Sequence, residues 1–127
     1  MKKQEYLVIY PSGDLSWMEV DGSIIDALHK TIGCECVENV RTILPDINLI
    51  VDECGKIKDP PQPHNELASR LYYGWFCGMD DICGPAVVVA IHLVDGESDW
   101  CPLSPRELYK VCKYLQISHL PPRGENK

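Results

Sequence analysis

Seven cysteines and four histidines are the side chains of this sequence best equipped for chemistry. Cys34 and Cys36 form a Cys-x-Cys pair, and on a strand both would face one side. Cys54, Cys77, Cys83, Cys101 and Cys112 are scattered. Structural zinc sites use tighter knuckle pairs, of the Cys-x2-4-Cys kind. A Cys-x-Cys pair is a poor knuckle and the interval from Cys77 to Cys83 is too wide, so no metal ligand set is expected, although His64 or His92 could still meet distant cysteines. Thiol catalysis needs a thiolate, a base within reach and a group to orient that base. Cys77, Cys83 and His64 fall in loop-like sequence, but no local signature joins them. The spacing favours buried free thiols acting as small hydrophobes, with Cys112 on the apolar stripe of a helix.

The carboxylates are no more specific. "DGESD", Asp95 to Asp99, is too short for a calcium loop and lacks its closing glutamate, so it reads as a solvated hairpin turn. "GMDDICG" has neither a P-loop nor a dinucleotide fingerprint. Free N–H groups at the start of a helix after Ser104, with Arg106 in its first turn, make Ser104 and Arg106 an anion-binding candidate, unless Ser104 and Glu107 already satisfy those donors. "LYYGWF", Leu71 to Phe76, is the richest recognition-type patch, because Tyr and Trp are large and amphipathic. With the residues around it, it gives a candidate binding site of His64, Asn65, Arg70, Tyr72, Tyr73 and Trp75, shaped for a partner chain or a polar ligand.

These residues need a scaffold. The chain has 127 residues with 45% hydrophobic content, enough for one core. Its charge of -7 argues against a general nucleic-acid binder, which needs a basic field. "YLVIY", Tyr6 to Tyr10, is too short for a secretory or membrane segment. A cytoplasmic protein with reduced thiols is expected, without a membrane partner.

"YLVIY" and "LSWMEV" predict an N-terminal β-hairpin around "PSGD". Ser23 caps and Gly33 stops a helix with Ile24, Ile25, Leu28 and Ile32 at helical spacing. Cys34 to Leu44 and Ile47 to Asp52 predict strands, followed by a turn in which Gly55 is expected to take a positive φ and a return strand starting at Lys56 to Lys58. Pro60, Pro61 and Pro63 should leave the sheet and aim a short helix capped by Asn65. Ala86 to Val94 holds a continuous apolar run, broken only by His92, as in a central strand covered on both faces, with Val87, Val89 and Ile91 on one side and Val88 and Ala90 on the other. "SPRE" at Ser104 to Glu107 is a capping box with proline at the first helical position. The fold class is α+β: a small, mostly antiparallel sheet with two or three helices packed on it. One domain is expected over residues 1–118, with a loose, proline-containing tail over 119–127.

In their order along the chain, several of these features resemble the family catalogued as domain of unknown function 3846. They are the hairpin, Asp21 and Gly22 before the first helix, Glu53 with Gly55 and Lys56, Pro63 with Asn65, Gly84 before Val87 to Val89, and Leu103 with Ser104. The likeness runs over roughly residues 5–115. It departs at Tyr72 to Cys83, which is richer in cysteine and aromatic residues, and at His64, which intervenes before Asn65. The resemblance implies a compact α+β domain common in bacteriophages, plasmids and bacteria, with no established catalytic residues. No cofactor is expected. The leading expectation is a non-catalytic binding protein of viral or mobile-element type that acts by protein–protein contact, in a host cytoplasm if viral. A small-molecule, nucleotide-like binder is the first alternative and an enzyme of unknown type the second. Homodimerisation stays open.

Overall fold

A computed structural model describes residues 4–55, 60–73 and 81–123. The elements are β1 (Gln4–Ile9), β2 (Leu15–Val20), α1 (Ile24–Ile32), β3 (Val37–Arg41), β4 (Ile47–Asp52), α2 (Glu66–Tyr73), β5 (Ala86–Val94), β6 (Glu97–Cys101) and α3 (Pro105–Leu115). The strands form one antiparallel sheet in the order β2-β1-β5-β4-β3, with β6 added to β5. The α+β class and the N-terminal hairpin are as expected. No helix among the described residues is long and apolar enough to cross a membrane.

Alternation along the central strands divides the core in two. Leu7, Ile9, Leu49, Val51, Ala86 and Val88 face α2 and α3, where they meet Ala68, Leu71, Val111 and Leu115. Tyr6, Val8, Ile50, Val87 and Val89 face α1, with Leu28 and Ile32 above them. From Ala86 to Ala90 both faces of β5 are covered, in the expected parity. Beyond Ala90 the cover falls away, and Leu93 and Val94 at its end are exposed, against the expectation of a strand covered along its whole length. Ser23 accepts the Asp26 N–H and Gly33 closes α1 at φ 79°.

Four other expectations needed correction. β3 is shorter than Cys34 to Leu44, because Gly33 and Cys34 still donate to the His29 carbonyl and belong to the stop of α1. At the other end of β3 the Thr42 hydroxyl donates to the Leu44 and Ile47 carbonyls and folds the corner into β4. Gly55 does not take a positive φ; it is glycine for space, since a Cβ there would stand 2.9 Å from the Cys83 carbonyl oxygen. The acidic "DGESD" is not all turn. Asp95 (φ 52°) and Gly96 (φ 82°) make a two-residue left-handed hairpin turn, and Glu97 starts β6. Finally, residues 119–123 are docked rather than loose. Trp17 Nε1 donates to the Pro121 carbonyl at 2.8 Å, Arg123 lies 3.7 Å over the Trp17 ring, and Leu120 packs on the core. The predicted return strand at Lys56 to Lys58 and residues 124–127 lie outside the described residues.

The proline stretch does leave the sheet. It pairs instead with the segment before β5: Asn65 N–H donates to the Ile82 carbonyl, Gly84 N–H donates to the Pro63 carbonyl, and His64 and Cys83 form an isolated bridge. This short pairing brings the candidate site together.

Candidate functional site

His64 stands at the N-terminal end of α2 with its side chain 47% exposed. Its Nδ1 meets Asp81 Oδ2 at 2.5 Å and its Nε2 meets Glu66 Oε1 at 3.2 Å. The other oxygen of Glu66 accepts from Arg70 Nε at 3.0 Å, one helical turn along. Protonated, the imidazole donates to both carboxylates at once. The His64 contact first, and the Arg70 guanidinium second, hold the Glu66 carboxyl below its ordinary range. The result is a surface chain, Arg70–Glu66–His64–Asp81, in which each side chain limits the freedom of the next.

Beside it lies a small cleft of about 60 Å3 whose wall includes Tyr72, Cys83 and the four carboxylates of Glu38, Asp52, Glu53 and Asp81. The loop after β4 is shaped by Asp52, whose Oδ1 accepts the Cys54 N–H at 2.9 Å.

Asn65 was expected to touch a ligand, but the structure buries it completely. Its Oδ1 caps α2 at the Ala68 N–H, and its Nδ2 donates to the carbonyls of Ile9 and Gly84 at 2.9 and 2.8 Å. It therefore anchors α2 to β1 and to the residue pair before β5, and sets the position of His64 without facing solvent. Tyr72 is half-buried and packs against the core cluster under α2. Tyr73 ends α2, its side chain outside the described residues, as is all of Trp75.

At the other candidate, Ser104 is joined to a carboxylate of the chain itself, while Arg106 is exposed in the first turn of α3. Ser104 Oγ accepts the Glu107 N–H, and Glu107 Oε1 accepts the Ser104 N–H at 2.8 Å. Glu107 Oε2 also meets His92 Nε2 at 2.8 Å. Burial opposes ionisation of Glu107, yet the bonds from Ser104 and His92 outweigh it and hold the carboxyl below its ordinary range. A carboxylate thus fills the place at the head of α3 where an incoming anion would have to sit.

Cys36, Cys54, Cys101 and Cys112 are free thiols. Burial pushes the thiols of Cys101 and Cys112 up, away from nucleophilic character. Among the described residues no three His, Cys, Asp or Glu side chains are placed to hold a metal ion.

Sequence reasoning missed Glu66 and Asp81 as partners of His64, and missed Glu38 and Glu53 at the cleft. Glu66 carried a legible signal, since it lies four residues before Arg70 on a helix. Asp81 lies seventeen residues from His64, and only the pairing of the proline segment unites them.

Comparison with known proteins adds fold and family. A family model described as "Domain of unknown function (DUF3846)" matches residues 1–116. No curated protein matches the chain. Among solved structures the chain is similar to part of the one titled "Crystal structure of small RNA methyltransferase HEN1", with a TM-score of 0.57 at 16% identity. The likeness covers 87% of this chain but 16% of that one, and at this identity it shows the fold alone.

Proposed function

The chain belongs to the family of unknown function DUF3846, and from that premise we propose that it is a non-catalytic binding protein acting through protein–protein contact. The observation that carries this reading is the braced surface chain Arg70–Glu66–His64–Asp81 beside Tyr72. Exposed side chains that already hold one another lose less freedom when a partner docks. The same bracing speaks against catalysis at His64: both ring nitrogens are engaged by carboxylates, so neither is free to take a substrate proton.

A nucleotide-like ligand fits less well. The cleft at the site is about 60 Å3 and bears four carboxylates, whereas small-molecule pockets are commonly about 300–1,000 Å3 and phosphate is repelled by acid. The reading extends to a protein of viral or mobile-element type working in the cytoplasm of its host, and the free thiols of Cys36, Cys54, Cys101 and Cys112 fit a reducing compartment.

The test pairs capture of partners from host extract with titration calorimetry on the partner so identified. His64→Ala and Arg70→Ala should keep the melting temperature within a few degrees and weaken binding by about tenfold or more. Wild-type affinity in both folded variants would remove this surface from the function. A nucleotide retained in native mass spectra of the freshly purified protein would replace the reading with the small-ligand one.

A further inference from the structure

β5 outruns the strands beside it. Its pairing with β4 ends at Ala90 opposite Ile47, and its pairing with β1 ends at Val88 opposite Leu7. Ile91 N–H still donates to the Asp46 carbonyl at 2.9 Å, but Asp46 has a φ of 62° and turns the chain away. Beyond that point β5 pairs with β6 alone, out to Val94 opposite Glu97. The end of β5 and β6 therefore form a two-stranded arm that projects from the sheet. Leu93 is 76% exposed on it and Val94 44%.

In an antiparallel strand the N–H and C=O of alternate residues point to the same flank. Ile91 directs its N–H towards β4, so Leu93 directs its own N–H and C=O to that flank, past the turn at Asp46. No described strand pairs there. At the root of this open edge lies a shallow cleft of about 590 Å3, lined by Ile43, Leu44, Pro45 and Ile91 among others. Ile43 is itself 48% exposed. Leu93 is two residues from Ile91 and shares its face. Open edges are ordinarily blunted by lysine, proline or a bulge. Residues 91–94 are Ile, His, Leu and Val, and carry none of these.

We propose that the edge of β5 at residues 92–94, with the cleft at its root, receives an extended strand from a partner protein whose residues alternate between aliphatic and basic. The alternation follows from the arm: one face of an added strand would lie on Ile43, Ile91 and Leu93, while long basic side chains on its other face would reach over His92 and Val94 towards Glu97 and Asp99 on β6, with Asp95 at the tip. The histidine of the arm is already held by Glu107. A second copy of this chain is the poorer occupant, because it would set three carboxylates against three in a protein of net charge -7. This surface uses none of the residues around His64, so either one can fail without the other.

The probe is a capped peptide of about eight residues alternating Lys and Val, titrated into the full chain and followed by amide NMR and hydrogen exchange. The expected result is slower exchange at the Leu93 amide and shifts at 91–94 and Ile43. Leu93→Ser, and the triple change Asp95→Asn, Glu97→Gln, Asp99→Asn, should each weaken binding by about tenfold. The same peptide N-methylated at alternate residues should not bind, and this arm of the experiment holds even if a protein variant misfolds. The proposal is overturned by equal binding of the N-methylated peptide or of a Glu–Val peptide, by silence at residues 91–94, or by a wild-type dimer that Leu93→Ser dissociates.

Discussion

Asn65 is one side chain doing the work of three. A cap for α2 was legible in the sequence, because an asparagine stood just before a helical run. Its amide donors were not legible, because their acceptors lie fifty-six and nineteen residues away, at Ile9 and Gly84. Capping alone would set the cost of Asn65→Ala at about 0.5–2 kcal/mol. The alanine also strands two buried carbonyls, so the expected loss rises to about 2–4 kcal/mol. Urea unfolding followed by far-UV circular dichroism measures it. A loss below about 1 kcal/mol would mean that water replaces the amide and that Asn65 is not the anchor described. Gly55 teaches the same lesson on a smaller scale. A glycine after an acidic turn suggested a positive φ, yet the residue is needed for the close approach of the Cys83 backbone, which only the folded chain supplies. Alanine there should cost roughly 1–3 kcal/mol in the same assay, and an unchanged midpoint would show that the two segments separate readily.

Among the elements, those with a clear capping signal were legible. α1 and α3 announced themselves through Ser23, Gly33 and the Ser104–Glu107 box, and all of these act as read. β6 did not, because Glu97, Ser98 and Asp99 are poor strand formers and their place is fixed by pairing with β5. The Asp95–Gly96 dipeptide was the available clue. The capping box has a consequence for pH. The folded carboxyl of Glu107 titrates below its ordinary value of 4.5. Ionised Glu107 therefore stabilises the fold at pH above that value, and the contribution disappears as pH falls through the lower folded value. Glutamine at this position keeps a capping acceptor but not the charge. Glu107→Gln should cost about 0.5–1 kcal/mol near neutrality, with a shallower fall of melting temperature in acid than the wild type. Parallel acid limbs would mean that the charge of Glu107, held by Ser104 and His92, contributes nothing to folding.

At the scale of the molecule, the sequence showed that β5 is central but not how the chain closes around it. The paired prolines near the end suggested a loose tail by composition, since Pro121 and Pro122 cannot join a ladder. What composition hid was the requirement at the other end of the chain. Trp17 lies on the β1–β2 hairpin with an indole N–H to satisfy, and the Pro121 carbonyl meets it. Arg123 covers the ring and reaches the buried Glu5 at 3.4 Å. Ile117 and Leu120 extend the same cover onto the core beneath α2 and α3. The segment after α3 thus ties the last helix to the first hairpin, and its contribution should be global. Deleting residues 120–127 should cost about 2–4 kcal/mol from lost apolar burial, one hydrogen bond and the cation–π contact. Arg123→Ala alone should cost about 1 kcal/mol, since the stack and a long ion pair are all it removes. Chemical denaturation monitored by tryptophan fluorescence would report both. If the deletion leaves the unfolding midpoint in place, the segment is not held in solution, and the composition described it better than its contacts do.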